Sequence, residues 1–408
     1  MKTLNEEDLK ALAGDYFAPV GLYQYTKNLP FLGTLQCNTQ SLIAGQWTEL
    51  LVEYTVGASG LADGAWIKGT FKFYSDWALF QTSDPKQNNY VSAEYTPSPL
   101  HLGQTPATVQ SLAVRFDQKG HERPFQKAII IDIVDGYMNP GDKIVVRIGD
   151  RRWGARGTRV QTFVEDQFLM RWYIDPVGTS RFAPIKPDIA FPIRPGVPTQ
   201  VRLKTPRLVK PNEEFPINCH TEDVWGNATI DLDVPVTELE IIKEDSDESI
   251  SKKRVSFSNK GWTVAKHTLS LPDDGDYTLS LSVADHNGRV IAKATEYITA
   301  ESSIPITRAL FADLHVHSDD TVGTNSSTYN FSYGQQVAGL DIIGYTANDF
   351  NITKERWDNT LEVIKKLQEE ITTWFFWTTL EPASPSSRSI ETAMWLAASS
   401  GTKMGLQS

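Results

Sequence analysis

A change of residue pattern near residue 303 limits the possible folds of this chain more than any other feature. From about residue 20 to 300, short runs of alternating apolar and polar residues follow one another, separated by clusters of Gly, Pro, Asn and Asp. In TELLVEYTV, for example, Leu50, Val52, Tyr54 and Val56 fall on one face of an extended strand. After residue 303, predicted strands alternate with predicted helices. The 408 residues therefore predict a multidomain protein, with all-β domains first and an α/β domain last.

The all-β part divides at a proline-rich stretch. Residues 186–200, KPDIAFPIRPGVPTQ, contain four prolines, which we expect to interrupt a sheet. We therefore predict a β-rich, sandwich-like domain over residues 1–190 and a second β-sandwich over residues 191–302. In the first, KAIIIDIVDG and DKIVVRIGD are predicted to be neighbouring antiparallel strands. In the second, the spacing Asp273-x-Gly275-x-Tyr277 is typical of the tyrosine corner of Ig-like sandwiches and predicts an Ig-like fold.

Residues 303–408 are predicted to form a β/α domain. RALFADLHV, LDIIGYTA and WFFWTTLE have the apolar character of buried strands. STYNFSYGQQVAGL and TKERWDNTLEVIKKLQEEI between them are predicted helices, the second with Thr353 as its N-cap. This β-α-β-α-β order predicts a parallel sheet, and ligands of such sheets bind at the carboxyl ends of the strands.

Groups that can bind a metal follow each of these three predicted strands. His315 and His317 lie two residues apart, so in extended geometry both imidazoles project to one side and can share an ion. Asp313 lies on the same face, as a direct ligand or as a hydrogen-bonding partner of a ligand. Further candidates at the strand ends are Asp319, Asp320, Asn348, Asp349 and Glu381. A His-x-His pair also occurs as capping or surface histidines, and the spacing alone leaves both interpretations open.

The motifs carry a resemblance to a known family. ADLHVHSDDT, followed about 25 residues later by AGLDIIGYTAND, resembles the first two motifs of the PHP superfamily of metal-dependent phosphoesterases. From about residue 30 to 383 the chain is similar to a PHP-like family, the domain of unknown function 3604. The segments GHERPFQKAIIIDIVDG, IGDRRWGARGTRVQTF and EDVWGN resemble landmarks of its N-terminal region.

This resemblance implies a fold, a cofactor and a reaction. It implies a distorted (β/α)7 barrel after the β-rich region, bound divalent metals such as zinc, manganese or iron, and hydrolysis of a phosphoester or related ester by metal-activated water. By position, His315 and His317 match the His-x-His ligands, and Glu381 matches the glutamate that ends the third strand. Asp313 is assigned to the same metal site, and Asp320 and Asp349 are assigned catalytic roles.

Two departures from the PHP pattern bear on activity. Asn348 stands where the superfamily often has histidine, and no histidine follows His317 in the sequence. We therefore expect a partial PHP-like barrel with an incomplete metal site, either because the chain is a truncated or mis-spliced gene product or because an assembly partner completes the sheet. The alternative function is a non-catalytic β-sandwich protein with a degenerate or truncated PHP remnant.

Net charge narrows the range of partners. At −11, the chain repels polyanions, which argues against nucleic acid and anionic membranes as partners. A small-molecule substrate, including an anionic one, stays compatible because a metal can offset the repulsion locally. The sequence has neither an N-terminal apolar core nor a run of about 18 apolar residues, so a cytoplasmic location is expected. The substrate and the oligomeric state stay open at this stage.

Overall fold

Strands are the main regular structure among the described residues. The structure is a computed structural model. It describes residues 28–101, 103–234, 237–246, 248–285, 287–348, 352–370, 375–381 and 394–395. The chain divides into two compact units. Unit 1 comprises Met1–Thr162 and Gln167–Arg194, and unit 2 comprises Phe163–Asp166 and Pro195–Ser408.

Unit 1 is built from two large sheets and a short strand pair. Its strands are β1 (Thr34–Cys37), β2 (Leu42–Ile43), β3 (Trp47–Thr48), β4 (Leu50–Thr55), β5 (Trp66–Phe71), β6 (Val91–Thr96), β7 (Ser111–Asp117), β8 (Lys127–Val134), β9 (Lys143–Ile148), β10 (Thr158–Arg159), β11 (Glu165–Asp175) and β12 (Ala183–Arg194). The sheet orders are β1-β4-β9-β6 and β2-β12-β11-β5-β8-β7, and β10 pairs with β3.

The two large sheets of unit 1 share one apolar core. Val52 and Tyr54 of the four-stranded sheet, and Ile131 and Trp172 of the six-stranded sheet, are completely buried in a single cluster. Burial of each large apolar side chain contributes about 1.5–3 kcal/mol. Unit 1 is therefore a β-sandwich, and the predicted alternation in β4 is confirmed by the burial of every second residue.

Two sequence-based expectations about unit 1 are wrong. The segments that form β8 and β9 are not neighbours, because β8 pairs with β5 and β7 whereas β9 pairs with β4 and β6 in the other sheet. Two of the four prolines of residues 186–200, Pro187 and Pro192, do not interrupt the sheet either, since β12 runs through them for 12 residues, whereas Pro195 and Pro198 lie between β12 and the next strand. A strand accommodates proline where its nitrogen faces no partner, and β2 pairs only with the last two residues of β12.

A buried carboxylate makes the stability of unit 1 depend on pH. Asp150 is 0 % exposed and accepts hydrogen bonds from Arg152 Nη2 at 2.7 Å and Ser92 Oγ at 2.8 Å. Burial alone would raise its pKa, but these hydrogen bonds outweigh burial and lower the pKa to about 2. The carboxylate therefore stabilises the fold fully above about pH 4, and that contribution is lost as the pH falls toward about 2.

We expect this titration to be visible in acid unfolding. The side chain of Arg152 is 39 % exposed, so solvent screening limits the expected effect to about 1 kcal/mol. Urea unfolding curves recorded between about pH 5 and pH 2 measure it. In Asp150→Asn, this part of the pH dependence should disappear. An unchanged pH slope in the variant would show that Asp150 is not its source.

Unit 2 begins with a second β-sandwich. Its strands are β13 (Gln200–Lys204), β14 (Leu208–Val209), β15 (Phe215–Glu222), β16 (Thr237–Lys243), β17 (Glu248–Val255), β18 (Val264–Leu269), β19 (Gly275–Ala284) and β20 (Val290–Ala300). They form sheets of order β13-β15-β18 and β14-β20-β19-β16-β17, which enclose one apolar cluster. Buried Tyr277 donates its hydroxyl to Asp273 O at 3.0 Å, so the predicted tyrosine corner is confirmed.

A short α/β segment follows the second sandwich. It consists of β21 (Ala312–Val316), α1 (Ser327–Gln336), β22 (Ile342–Asn348), α2 (Lys354–Glu370), β23 (Phe375–Glu381) and β24 (Met394–Trp395). Ser326 caps α1 by accepting from Tyr329 N, and Thr353 Oγ1 accepts from Arg356 N at the start of α2. Neither described helix has the length and apolar character that a membrane-spanning helix needs.

The expected partial (β/α)7 barrel is wrong. The described strands of the segment form a four-stranded sheet of order β21-β22-β23-β24. The first three are parallel, but β24 pairs antiparallel with β23. A (β/α) barrel grows by adding parallel strands, so an antiparallel strand at this edge interrupts the winding. The described residues contain 44 % strand and 7 % helix, and both described helices lie in this α/β segment.

Candidate metal centre

Two imidazoles meet at the carboxyl end of β21. His315 is the fourth residue of this strand, and His317 follows its last residue. Their Nε2 atoms are 3.0 Å apart, and the ring planes are inclined by 69°. The His315 side chain is exposed, and the His317 side chain is half-buried. The strand therefore presents two imidazole nitrogens side by side at an accessible position.

The spacing of these nitrogens suits a shared divalent metal. Imidazole nitrogens lie about 2.0–2.1 Å from zinc, so two of them are about 3.0 Å apart at a right angle and about 3.3 Å apart at a tetrahedral angle. The observed 3.0 Å is within this range, and without a metal it is the length of a hydrogen bond in which one imidazole Nε2 donates to the other. Neutral imidazole is also a good ligand for zinc and iron. The donor chemistry and the geometry of the pair thus fit a transition-metal ion.

The loop after His317 is held by its neighbours. Asn330 of α1 donates from Nδ2 to His317 O at 3.1 Å and to Thr324 O at 3.0 Å. A Cβ atom on Gly323 would lie 2.9 Å from His317 Cβ and 2.8 Å from Ser318 O, so a side chain there would displace the histidine. Helix α1 and the close approach at Gly323 together fix the backbone that carries His317.

A buried hydrogen-bond network joins this loop to the sheet and to α2. Tyr345 of β22 is 1 % exposed, and its hydroxyl bonds to Ser318 Oγ at 3.0 Å and donates to Asp320 Oδ2 at 3.3 Å. Thr360 of α2 donates to the same carboxylate oxygen at 2.8 Å. Burial raises the pKa of Tyr345 well above its usual range, so the phenol stays protonated. Asp320 thus anchors the loop through two hydroxyl groups.

The structure places the other predicted site residues less closely. Asp313 is exposed and its Oδ1 accepts from His315 N at 3.1 Å, which is a local contact within β21. Asn348 and Glu381 are paired at the carboxyl ends of β22 and β23, so their backbones lie at the same sheet edge as the histidines. Neighbouring strands are about 4.8 Å apart, which puts Glu381 roughly 10 Å from β21. Asp349 lies outside the described residues.

The described side chains do not complete a metal site. Among them, no three His, Cys, Asp or Glu residues come together at metal-binding distance. The side chains of Asn348 and Glu381 are not among the described side chains, so this statement does not include them. Tyr345, Thr360 and Asn330 support the loop but have no recognisable signal in the sequence, because they reach it from separate elements by packing.

Removal of the Tyr345 hydroxyl should loosen the histidine loop. Tyr345→Phe deletes the bonds to Ser318 and Asp320, and we expect the free energy of unfolding to fall by about 1–1.5 kcal/mol. Amide hydrogen exchange of residues 317–325 should accelerate in this variant. Tyr297→Phe is the matched control, because the Tyr297 side chain is 61 % exposed. Equal exchange rates in both variants would contradict an anchoring role of Tyr345.

Comparisons with known proteins give only distant similarities. No family model and no curated protein matches this chain. Among solved structures, one similar structure is the CARDB domain of a Pyrococcus furiosus protein, which is 19 % identical in sequence. The alignment covers 26 % of this chain and 94 % of the CARDB chain, with a TM-score of 0.19. A PKD domain of an M14-like peptidase from a Thermoplasmatales archaeon is 13 % identical over 26 % of this chain and 96 % of its own, with a TM-score of 0.17.

One match covers more of this chain but is equally distant in sequence and structure. The Escherichia coli adhesin FdeC is 12 % identical, covers 67 % of this chain and 65 % of its own, and has a TM-score of 0.21. At TM-scores this low, none of these solved structures supports a fold assignment for this chain. The two β-sandwiches and the α/β segment therefore rest on the strand pairing and the shared cores.

Proposed function

We propose that this protein is a metal-dependent hydrolase of the PHP type, related to the domain of unknown function 3604 family, which acts on a phosphoester or related ester of a small molecule. One observation carries the proposal: the Nε2 atoms of His315 and His317 are 3.0 Å apart at the carboxyl end of β21. Polar groups at the carboxyl edge of a parallel sheet are placed where such sheets bind their ligands.

The chemistry of the pair supports this assignment. His315 and His317 would hold a divalent ion, such as zinc, manganese or iron, through neutral imidazoles. Such an ion supplies a Lewis acid and lowers the pKa of a bound water toward neutrality. The protein's own contribution is positional, since Asn330 and the Tyr345–Asp320–Thr360 network hold the loop that follows His317. Glu381 remains the proposed third ligand because it ends β23 at the same edge.

A second candidate is a non-catalytic β-sandwich protein with a degenerate PHP segment. The hydrogen bonds of Asp320 favour it. Its Oδ2 accepts from both Tyr345 and Thr360, so this carboxylate serves the fold of the loop. A carboxylate engaged by two hydroxyl donors is a poorer metal ligand or base, because those bonds stabilise it in place. In this case the His pair binds a single ion without turnover.

Metal content and turnover separate the two candidates. Purified protein is dialysed against zinc or manganese and analysed for bound metal, and its activity is measured on p-nitrophenyl phosphate and bis-p-nitrophenyl phosphate. The hydrolase proposal predicts bound metal and turnover that stops when EDTA removes it. Bound metal without turnover on either ester favours the second candidate. A chain that binds no metal contradicts the site itself.

A further inference from the structure

A four-residue strap belongs to unit 2, although it lies between strands of unit 1 in the sequence. The strap is Phe163–Asp166, which follows β10 and includes the first two residues of β11. It contacts the histidine loop, residues 317–325, through the side chain of Asn325. We propose that Asn325 clamps this loop to the strap and is a positioning residue of the metal site. The inference rests on the proposed function, because it concerns the metal affinity of the same histidine pair.

Both polar groups of the Asn325 side chain bind the strap. Its Oδ1 accepts a hydrogen bond from Asp166 N at 2.7 Å, and its Nδ2 donates to Val164 O at 3.4 Å. Asn325 is 7 % exposed, so water has little access to replace these partners. A buried polar group that loses its partner has a high free energy, which makes this clamp a strong local restraint.

The backbone of Asn325 passes the restraint to the histidine loop. Its carbonyl accepts from Asp319 N at 2.8 Å, two residues after His317. Its φ of 60° is left-handed, a conformation that asparagine adopts more readily than most residues. The next residue, Ser326, caps α1, and Asn330 of this helix donates to His317 O. A shift of Asn325 would therefore move both ends of the loop that begins at His317.

The strap is itself anchored to the second sandwich. Val164 N donates to Asn227 Oδ1 at 3.1 Å. Asn227 is 8 % exposed, and its Nδ2 donates to the buried carboxylate of Asp223 at 3.0 Å. Asn325 thus connects the histidine loop to a chain of hydrogen bonds that ends in a loop of the sandwich. Because groups that orient metal ligands affect metal affinity, the affinity of the histidine pair should depend on this chain.

The variant Asn325→Gly tests the proposal, because glycine keeps the left-handed backbone and removes the clamp. We expect the affinity for cobalt to fall by at least about tenfold, and the visible absorption of bound cobalt to change. Asn212→Gly is the matched control, since Asn212 has a φ of 62° and its Nδ2 donates to Pro272 O at 3.0 Å in the second sandwich. Wild-type affinity and absorption in folded Asn325→Gly would overturn the proposal.

Variants of the strap test the clamp from its other side. Ser326 Oγ donates to Asp166 Oδ2 at 2.9 Å, in an exposed position. Asp166→Ala removes this acceptor and should weaken cobalt binding by about threefold. Asp166→Asn keeps an acceptor oxygen and should restore the wild-type affinity. If Asn325→Gly does not fold, these two variants decide the matter, and equal affinity of Asp166→Ala and the wild type overturns the proposal.

Amide hydrogen exchange of the metal-free protein separates the clamp from the proposed function. Exchange at residues 317–321 should accelerate in Asn325→Gly but not in Asn212→Gly. If the unaltered protein binds no cobalt, the proposed function fails together with the effect on metal affinity, whereas exchange still reports the clamp. If the unaltered protein binds cobalt and exchange in Asn325→Gly stays at the wild-type rate, only the clamp is overturned.

Discussion

Replacement of His315 and His317 by alanine should lower the affinity of the protein for zinc by at least about 100-fold. The two Nε2 atoms lie 3.0 Å apart and are the only closely spaced pair of imidazole nitrogens recorded among the described residues. With both imidazoles removed, the edge of the sheet keeps at most carboxylate donors, which bind zinc less well than mixed nitrogen and oxygen sets. Competition with a chromogenic zinc chelator measures the change.

A matched variant controls for the loss of histidine itself. His101→Ala with His121→Ala removes two histidines of unit 1 and should retain wild-type zinc affinity. The far-ultraviolet circular dichroism of both double variants should be unchanged, because the exposed His315 and half-buried His317 lie outside the sandwich cores. Wild-type affinity in the His315 and His317 variant would show that zinc binds elsewhere.

Replacement of Asp223 by alanine should destabilise unit 2 by about 3 kcal/mol. Asp223 is 0 % exposed and organises the loop between β15 and β16. Its carboxylate accepts from the backbone nitrogens of Gly196 and Trp225 at 2.8 Å and of Asn227 at 2.9 Å, and from Asn227 Nδ2 at 3.0 Å. Alanine leaves these buried donors without an acceptor, and each such loss has a large cost.

Asp285, an aspartate in a more exposed loop, gives the reference value for the loss of unfolding free energy. Asp285 accepts from Asn287 N and Arg289 N at 2.9 Å, but these contacts are exposed. Water can replace the carboxylate there, so Asp285→Ala should cost less than about 1 kcal/mol. Urea unfolding of both variants measures the difference. Equal destabilisation would contradict the claim that burial makes the Asp223 contacts strong.

The sequence predicted those features of the fold that depend on local pattern. The alternation of Leu50, Val52 and Tyr54 identified a half-buried strand, and Tyr277 with its upstream aspartate identified the corner of the second sandwich. Both signals are contained within a few residues. The pairing of β8 and β9 with different sheets was not predictable, because it depends on which apolar face finds a partner at long range.

The C-terminal segment shows where local reasoning failed. The order of strands and helices was visible, and β21, β22 and β23 are parallel as expected. Extension to a (β/α)7 barrel came from a resemblance, and the antiparallel pairing of β24 contradicts it. Nothing in the two residues Met394 and Trp395 indicates the direction in which they pair. Closure of a sheet is a long-range property that residue periodicity does not encode.

Only the local part of the candidate site was predictable from the sequence. His315 and His317 lie on one strand, so their proximity follows from a spacing of two. The groups that support them come from α1, β22 and α2, and packing rather than sequence spacing brings Asn330, Tyr345 and Thr360 to the loop. For Asp320, the sequence suggested a catalytic carboxylate, whereas the structure shows its hydrogen bonds to these supporting hydroxyls.

The central claim is that His315 and His317 together bind one divalent metal ion. X-ray absorption at the zinc edge of the zinc-loaded protein tests it most directly, because outer-shell scattering from imidazole rings distinguishes histidine from carboxylate or water ligands. We predict two imidazole nitrogens about 2.0–2.1 Å from the metal, and their loss in the His315→Ala, His317→Ala variant. A spectrum with oxygen ligands alone, or one that is identical in the variant, would contradict the account.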